Sequence, residues 1–81
     1  MDDATEDKAV LKHVQRLVAE EHRLFEKVSL DESETRRLAA VQVDLDQCWD
    51  LLRQRRALRE TGRDPADAHV RPAQVVEKYI G

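Results

Sequence analysis

Residues 38–52 read LAAVQVDLDQCWDLL, and apolar side chains recur there every three or four positions. At about 100° per residue, five of these positions form one stripe along an α-helix. They are Leu38, Val41, Leu45, Trp49 and Leu52. The pattern predicts a helix over about residues 30–61 that ends at Gly62, because glycine adopts the left-handed conformation that often follows a helix. Trp49, near the centre of the stripe, is expected to be packed.

Upstream of this helix, a second apolar stripe predicts another helix over about residues 5–27. Its members include Val10, Val14, Leu17 and Leu24. Ser29 and Glu32 fit a capping box, in which the hydroxyl and the carboxylate each accept a backbone N–H bond at the helix start. A turn this short requires antiparallel helices, so residues whose numbers add up to about 59 should face each other.

The predicted fold is therefore all-α, an antiparallel helical hairpin followed by a short helical tail. With 2 Gly, 2 Pro and 4% aromatic residues, the chain has too little turn chemistry for a sheet. We assign residues 1–81 to one domain, with an acidic N-terminal arm (1–4) and a tail (62–81) interrupted by Pro65 and Pro72. The tail has an apolar stripe that should fold back onto the second helix: Val75, Val76, Tyr79 and Ile80.

A second apolar strip on the long helix needs its own cover. Ala40, Leu51 and Leu58 lie roughly 110–130° from the main stripe. The tail or a second protomer would serve. We favour a homodimer that forms a four-helix bundle, because the core of so small a chain rarely contributes more than about 3–5 kcal/mol. Alternatively, Leu51 and Leu58 are ordinary exposed leucines.

One carboxylate, Glu21, falls in the middle of the apolar stripe of the first helix. Burying it unpaired would be costly, so it should have a partner such as Gln42 or Arg37, or fix the register of a dimer. Glu21 and His22 are adjacent, whereas the di-iron bundles use a Glu-x-x-His spacing. The sequence therefore lacks that metal motif.

His13, Asp44 and Cys48 are expected on one flank of the hairpin, where they could hold zinc or activate a thiolate. No Cys-x-x-Cys or paired-histidine spacing accompanies them, and a lone helical cysteine is most often a packing residue. We therefore expect no metal, no cofactor and no catalytic residue. The sequence also lacks a phosphate-binding glycine loop and a nucleophile elbow, so the chain is predicted not to be an enzyme.

The end of the second helix is rich in arginine. Such a face could lie along phosphates, and its members are Arg53, Arg55, Arg56, Arg59 and Arg63. The predicted register instead brings it near four acidic residues, Asp2, Asp3, Glu6 and Asp7. A net charge of -3 and a pI of about 5.6 favour this second interpretation. Nucleic-acid binding is thus possible but not favoured.

The run LDQCWDLLRQRRA (residues 45–57), preceded by LVAEEH (17–22) and followed by Arg71-Pro72 and Val76-Glu77-x-Tyr79, resembles a family of short actinobacterial proteins of unknown function. The resemblance spans nearly the whole chain. It implies a cytoplasmic, stand-alone helical protein, and it brings no activity. The acidic start and the lack of a long apolar segment also predict a cytoplasmic protein that does not enter a membrane.

The leading hypothesis is a non-enzymatic interaction module, a homodimeric helical hairpin that presents its arginine-rich end or its tail to another protein. The alternative is a small nucleic-acid- or ribosome-associated factor. The residues singled out for interaction are Glu21, Leu51, Arg53, Arg55, Arg56, Leu58 and Arg59.

Overall fold

The computed structural model describes residues 3–77 and is all-α over that range. It consists of α1 (Asp3–Phe25), α2 (Glu32–Glu60), one turn of 3-10 helix (Pro65–Asp67) and α3 (Ala73–Glu77). The all-α prediction is confirmed, and both long helices lie within two residues of their predicted bounds. Residues 3 and 4 belong to α1, so they do not form the predicted arm; residues 1 and 2 lie outside the described residues.

The start of α2 differs from the predicted cap. Asp31, not Ser29, is the N-cap: its carboxylate accepts from the Glu34 amide at 2.7 Å, and the Glu34 carboxylate accepts from the Asp31 amide at 3.1 Å. The capping box is therefore displaced by two residues. Starting the helix at Asp31 also places Glu34 against Lys27 across the turn, a contact that the earlier start would not provide.

Gly62 ends α2 as predicted. Its φ of 74° is left-handed, which a residue with a Cβ adopts only at a cost. The Gly62 amide donates to the Arg59 carbonyl and the Arg63 amide to the Leu58 carbonyl, the paired bonds of a Schellman motif. Asp64 then caps the 3-10 turn, and Pro65 occupies its first position.

The hairpin core lies between α1 and the middle of α2. Its buried members are Val14, Leu17, Val41, Leu45 and Cys48. The prediction that Trp49 is packed is wrong, because 46% of its surface is exposed. The side of α2 that meets α1 is centred between Leu45 and Cys48, which puts Trp49 at the edge of the contact.

The tail packs against α2 on the side away from α1. Gln54, which binds the tail backbone, is about 180° around the helix from Leu45, which packs on α1. Val76 of α3 is 3% exposed, whereas Tyr79 and Ile80 of the predicted tail stripe lie outside the described residues. Helix α1, helix α2 and the tail therefore form a single layer, in a flat body of 48 × 26 × 14 Å.

Candidate functional site

An ion pair holds the tail against α2. Asp50 is 1% exposed, and both its carboxylate oxygens accept from the Arg71 guanidinium, one of them from Nε at 2.9 Å. Gln54 adds a third donor to Asp50 at 2.8 Å. The Arg71 guanidinium lowers the pKa of the Asp50 carboxyl, an effect that outweighs the opposing effect of burial. A buried carboxylate is tolerated here because its oxygens have charged and polar donors.

Two glutamines of α2 bind the tail backbone. The Gln54 amide donates to the His69 carbonyl at 2.8 Å and accepts from the His69 amide at 3.3 Å. About two helical turns earlier on α2, Gln47 donates to the Arg71 carbonyl at 3.1 Å. These bonds satisfy backbone polar groups of His69 and Arg71, which lie in an extended segment outside any helix or sheet.

Leu51 and Leu58 share the helix face of Gln47 and Gln54 by their spacing of three and four residues. Both leucines are half-buried. The tail binds this face of α2 through Gln47 and Gln54, and that it covers Leu51 and Leu58 stays a prediction.

Arg55 is the buried centre of the arginine-rich end, with 4% of its surface exposed. It donates to Asp7 at 2.6 Å, to Glu6 at 2.7 Å and to the Pro65 carbonyl at 3.2 Å. The hydrogen bond from Arg55 lowers the pKa of the Asp7 carboxyl. This single guanidinium therefore joins the start of α1, the end of α2 and the turn that begins the tail.

The other arginines of this end divide into two groups. Arg59 forms an ion pair with Asp7, as the predicted register implied. Arg56 pairs with Glu60 one turn away, and both side chains are mostly exposed. Arg53 is also exposed. Carboxylates of α1 thus form ion pairs with Arg55 and Arg59, while Arg53 and Arg56 face solvent.

One flank of the hairpin, which we call the polar flank, carries paired charges between α1 and α2. His13 Nε2 lies 3.2 Å from Asp44 Oδ2, and Arg37 donates to Glu20 at 2.7 Å. Arg37 was one of two predicted partners of Glu21. The structure assigns it to the neighbouring Glu20, while Glu21 is half-buried.

Cys48 borders the polar flank beneath Asp44. Its Sγ donates to Asp44 Oδ1 at 3.8 Å, and its residue surface is 8% exposed. Burial, followed by the nearby Asp44 carboxylate, raises the pKa of the Cys48 thiol. A raised pKa opposes the thiolate that nucleophilic chemistry requires.

The opposite flank, which we call the apolar flank, carries Leu11, Val18, Phe25 and Trp49. The first three are seven residues apart, so they follow one line along α1. Leu11 and Trp49 lie roughly 140–160° around their helices from His13 and Asp44, and the hairpin register brings them level with each other. Leu11 is 41%, Trp49 46% and Phe25 58% exposed, and Val18 is half-buried.

Trp49 also lines a shallow surface groove with Leu52, Arg53 and Arg56. The groove combines an aromatic face, an aliphatic side chain and two cationic groups. It adjoins the apolar flank at Trp49, and both of its arginines face solvent.

Sequence reasoning did not identify Asp50 or the apolar flank. Nothing in the local sequence around Arg71 and Pro72 indicated an ion pair with Asp50, because the pair depends on how the tail returns to α2. For the flank, the signal was the spacing of Leu11, Val18 and Phe25, which the wider apolar stripe of α1 obscured.

These contacts place the protein in the class of two-helix hairpins in which a C-terminal tail packs on the long helix. The chain belongs to the family described as "Protein of unknown function (DUF2630)", whose model matches residues 6–81. Uncharacterised proteins of Mycobacterium tuberculosis and Mycobacterium bovis are each 52% identical to it over 79 residues, which cover 93% of this chain and 91% of the relative. The predicted membership of a family of unknown function is confirmed; that the run at 45–57 marks the family stays a prediction.

No solved structure matches the chain. Within residues 3–77, no helix combines the length and the apolarity needed to cross a bilayer.

Proposed function

We propose that the protein is a non-enzymatic assembly module that acts in the cytoplasm as a homodimer, with the apolar flank as its interface. The observation that carries this proposal is an exposed apolar flank on a fold of one layer. Domains normally enclose their core between two layers. Among residues 6–76, only eight apolar side chains are buried, with Pro65 included, a small core for a chain of this length.

A second copy of the chain fits this flank better than an unrelated partner. Each copy offers the same line of Leu11, Val18 and Phe25 beside Trp49, as a two-fold symmetric interface requires. The charged pairs of the polar flank, by contrast, are satisfied within one chain. Two hairpins joined in this way form a four-helix bundle, the assembly expected from the sequence, through Leu11 and Trp49 in place of Leu51 and Leu58.

Light scattering on purified variants tests the interface. Leu11→Asp should weaken the dimer by about 100-fold or more, because each symmetric interface loses two buried leucines and gains two charges. Ala9→Asp is the matched control: it adds the same charge on the same turn of α1, at an exposed position on the other side. A wild-type monomer at all concentrations, or equal effects of the two variants, would contradict the proposal.

Binding of RNA is the second candidate, supported by the groove in which Trp49 adjoins Arg53 and Arg56. The internal pairing of Arg55 and Arg59 weakens this candidate, since it leaves Arg53 and Arg56 at the groove, and Arg63 beyond the end of α2, for phosphates. RNA binding predicts salt-sensitive affinity that Arg53→Glu with Arg56→Glu abolishes. The assembly function predicts no such binding by the wild-type dimer at physiological salt.

A further inference from the structure

Three side chains with metal-binding atoms meet on the polar flank, away from the proposed dimer interface. His13 projects from α1, while Asp44 and Cys48 project from successive turns of α2. One ligand atom from each residue can be chosen so that all lie within 4.8 Å of one another. We propose that His13, Asp44 and Cys48 bind a zinc ion that joins the two helices.

The spacing of the ligand atoms fits tetrahedral zinc. With Zn–ligand bonds of about 2.0–2.3 Å, adjacent ligand atoms lie about 3.3–3.7 Å apart. His13 Nε2 and Asp44 Oδ2 are 3.2 Å apart, and Cys48 Sγ is 3.8 Å from Asp44 Oδ1. These two contacts use different oxygens of Asp44, so zinc bound to a single oxygen requires the three ligand atoms to converge by up to about 1 Å from a separation of at most 4.8 Å.

The mixture of ligand types favours zinc over other common ions. Thiolate and imidazole disfavour magnesium and calcium, which take oxygen ligands, and the carboxylate disfavours copper(I), which prefers sulfur. The Cys48 thiol would release its proton to solvent as its sulfur binds the ion. The ion would then compensate both the thiolate and the adjacent Asp44 carboxylate, two negative charges that would repel each other without it.

The proposed zinc site has one side buried in the hairpin core and another side exposed to solvent. Cys48 is part of the hairpin core, whereas the side chains of His13 and Asp44 are 50% and 43% exposed. The fourth zinc position would therefore face solvent and take a water molecule, as in three-ligand sites.

Titration of the full chain with cobalt(II), a spectroscopic substitute for zinc, tests the site. Because Cys48 is the sole cysteine, a near-ultraviolet thiolate-to-cobalt band reports on this residue alone. We expect one ion per chain, displacement of cobalt by zinc, and a zinc-dependent rise in Tm. His13→Gln and Asp44→Asn should each lower zinc affinity by about 100-fold or more, since loss of a mere supporting contact costs about 10–100-fold.

The matched control is His22→Gln, which removes an exposed histidine of the same helix outside the cluster and should leave zinc affinity unchanged. Circular dichroism establishes that each variant is folded, and Cys48→Ala should abolish the charge-transfer band in a folded chain. The proposal is overturned by absence of the band in the wild type. It is also overturned if the band persists unchanged in His13→Gln and Asp44→Asn, or if one ion binds per two chains.

Discussion

Arg55 shows how one residue determines where three segments meet. Its planar guanidinium reaches two carboxylates of α1 and a carbonyl of the tail from a position almost closed to solvent. A buried cation is stable only when its donors are satisfied, and this one has several acceptors in different directions. The arginine-rich end of α2 is therefore partly a structural feature.

The first prediction compares two neighbouring arginines. Arg55→Lys should lower the free energy of unfolding by about 1–2 kcal/mol, because a lysine ammonium cannot reproduce the forked contacts to Glu6 and Asp7. Arg56→Lys should change it by less than about 0.5 kcal/mol, since Arg56 lies in an exposed pair. Urea denaturation of both variants measures the difference, and equal losses would contradict the assigned role of Arg55.

Asp50 provides a second prediction, on pH. Its pKa is lowered in the folded chain from an unfolded value of about 3.9. Stability from the ionised carboxylate is therefore fully present above that value and is lost as the pH falls through the folded pKa. Asp50→Asn should lower the free energy of unfolding by about 3 kcal/mol at neutral pH, because it removes the charge of the buried carboxylate that both Arg71 and Gln54 bind.

The loss of unfolding free energy caused by Asp50→Asn should become smaller as the pH is lowered below about 4, since the wild-type carboxyl then becomes neutral as well. Denaturant unfolding at a series of pH values checks this. Asp67→Asn, at an exposed aspartate of the tail, is the control and should show a small deficit throughout. If the loss of unfolding free energy in Asp50→Asn were independent of pH, the charge of the Asp50 carboxylate would not be what stabilises the fold.

At the scale of elements, the chain marks its helix ends with local chemistry. Asp31 and Glu34 start α2, and Gly62 ends it through backbone bonds that a left-handed residue permits. Asp31→Ala should therefore cost about 1 kcal/mol, whereas Ser29→Ala should cost almost nothing, although the sequence also fits a cap at Ser29. Thermal unfolding of the two variants distinguishes an N-cap at Asp31 from one at Ser29. A larger loss of stability in Ser29→Ala would show that Ser29 is the N-cap.

These elements also show what sequence could and could not predict. Gly62 and Pro65 act through their own backbone preferences, so their positions were predictable. Trp49 was misplaced because the predicted stripe is centred about 30–40° from the side of α2 that packs on α1, and Trp49 lies at the edge of the stripe farthest from that side. The Asp50–Arg71 pair depends on how an extended tail returns to α2, and no local pattern specifies that path.

At the scale of the whole molecule, the tail, α2 and α1 lie side by side, so within residues 3–77 no second layer lies over the apolar flank. Leu11 and Phe25 of this flank are exposed, whereas Leu51 and Leu58 are half-buried on the face of α2 that binds the tail. Exposed apolar side chains that adjoin along one face commonly mark an interaction site. We therefore expect the protein to dimerise through this flank.

Trp49 allows that claim to be measured directly, because it is the sole tryptophan and lies on the proposed interface. Its fluorescence should be recorded during dilution of the reduced protein, with the mass followed by light scattering. We expect blue-shifted emission where the mass is twice 9.4 kDa and water-like emission where it is 9.4 kDa, with one midpoint for both changes. Water-like emission at every concentration, or a dimer that dissociates without a shift in emission, would contradict the interface.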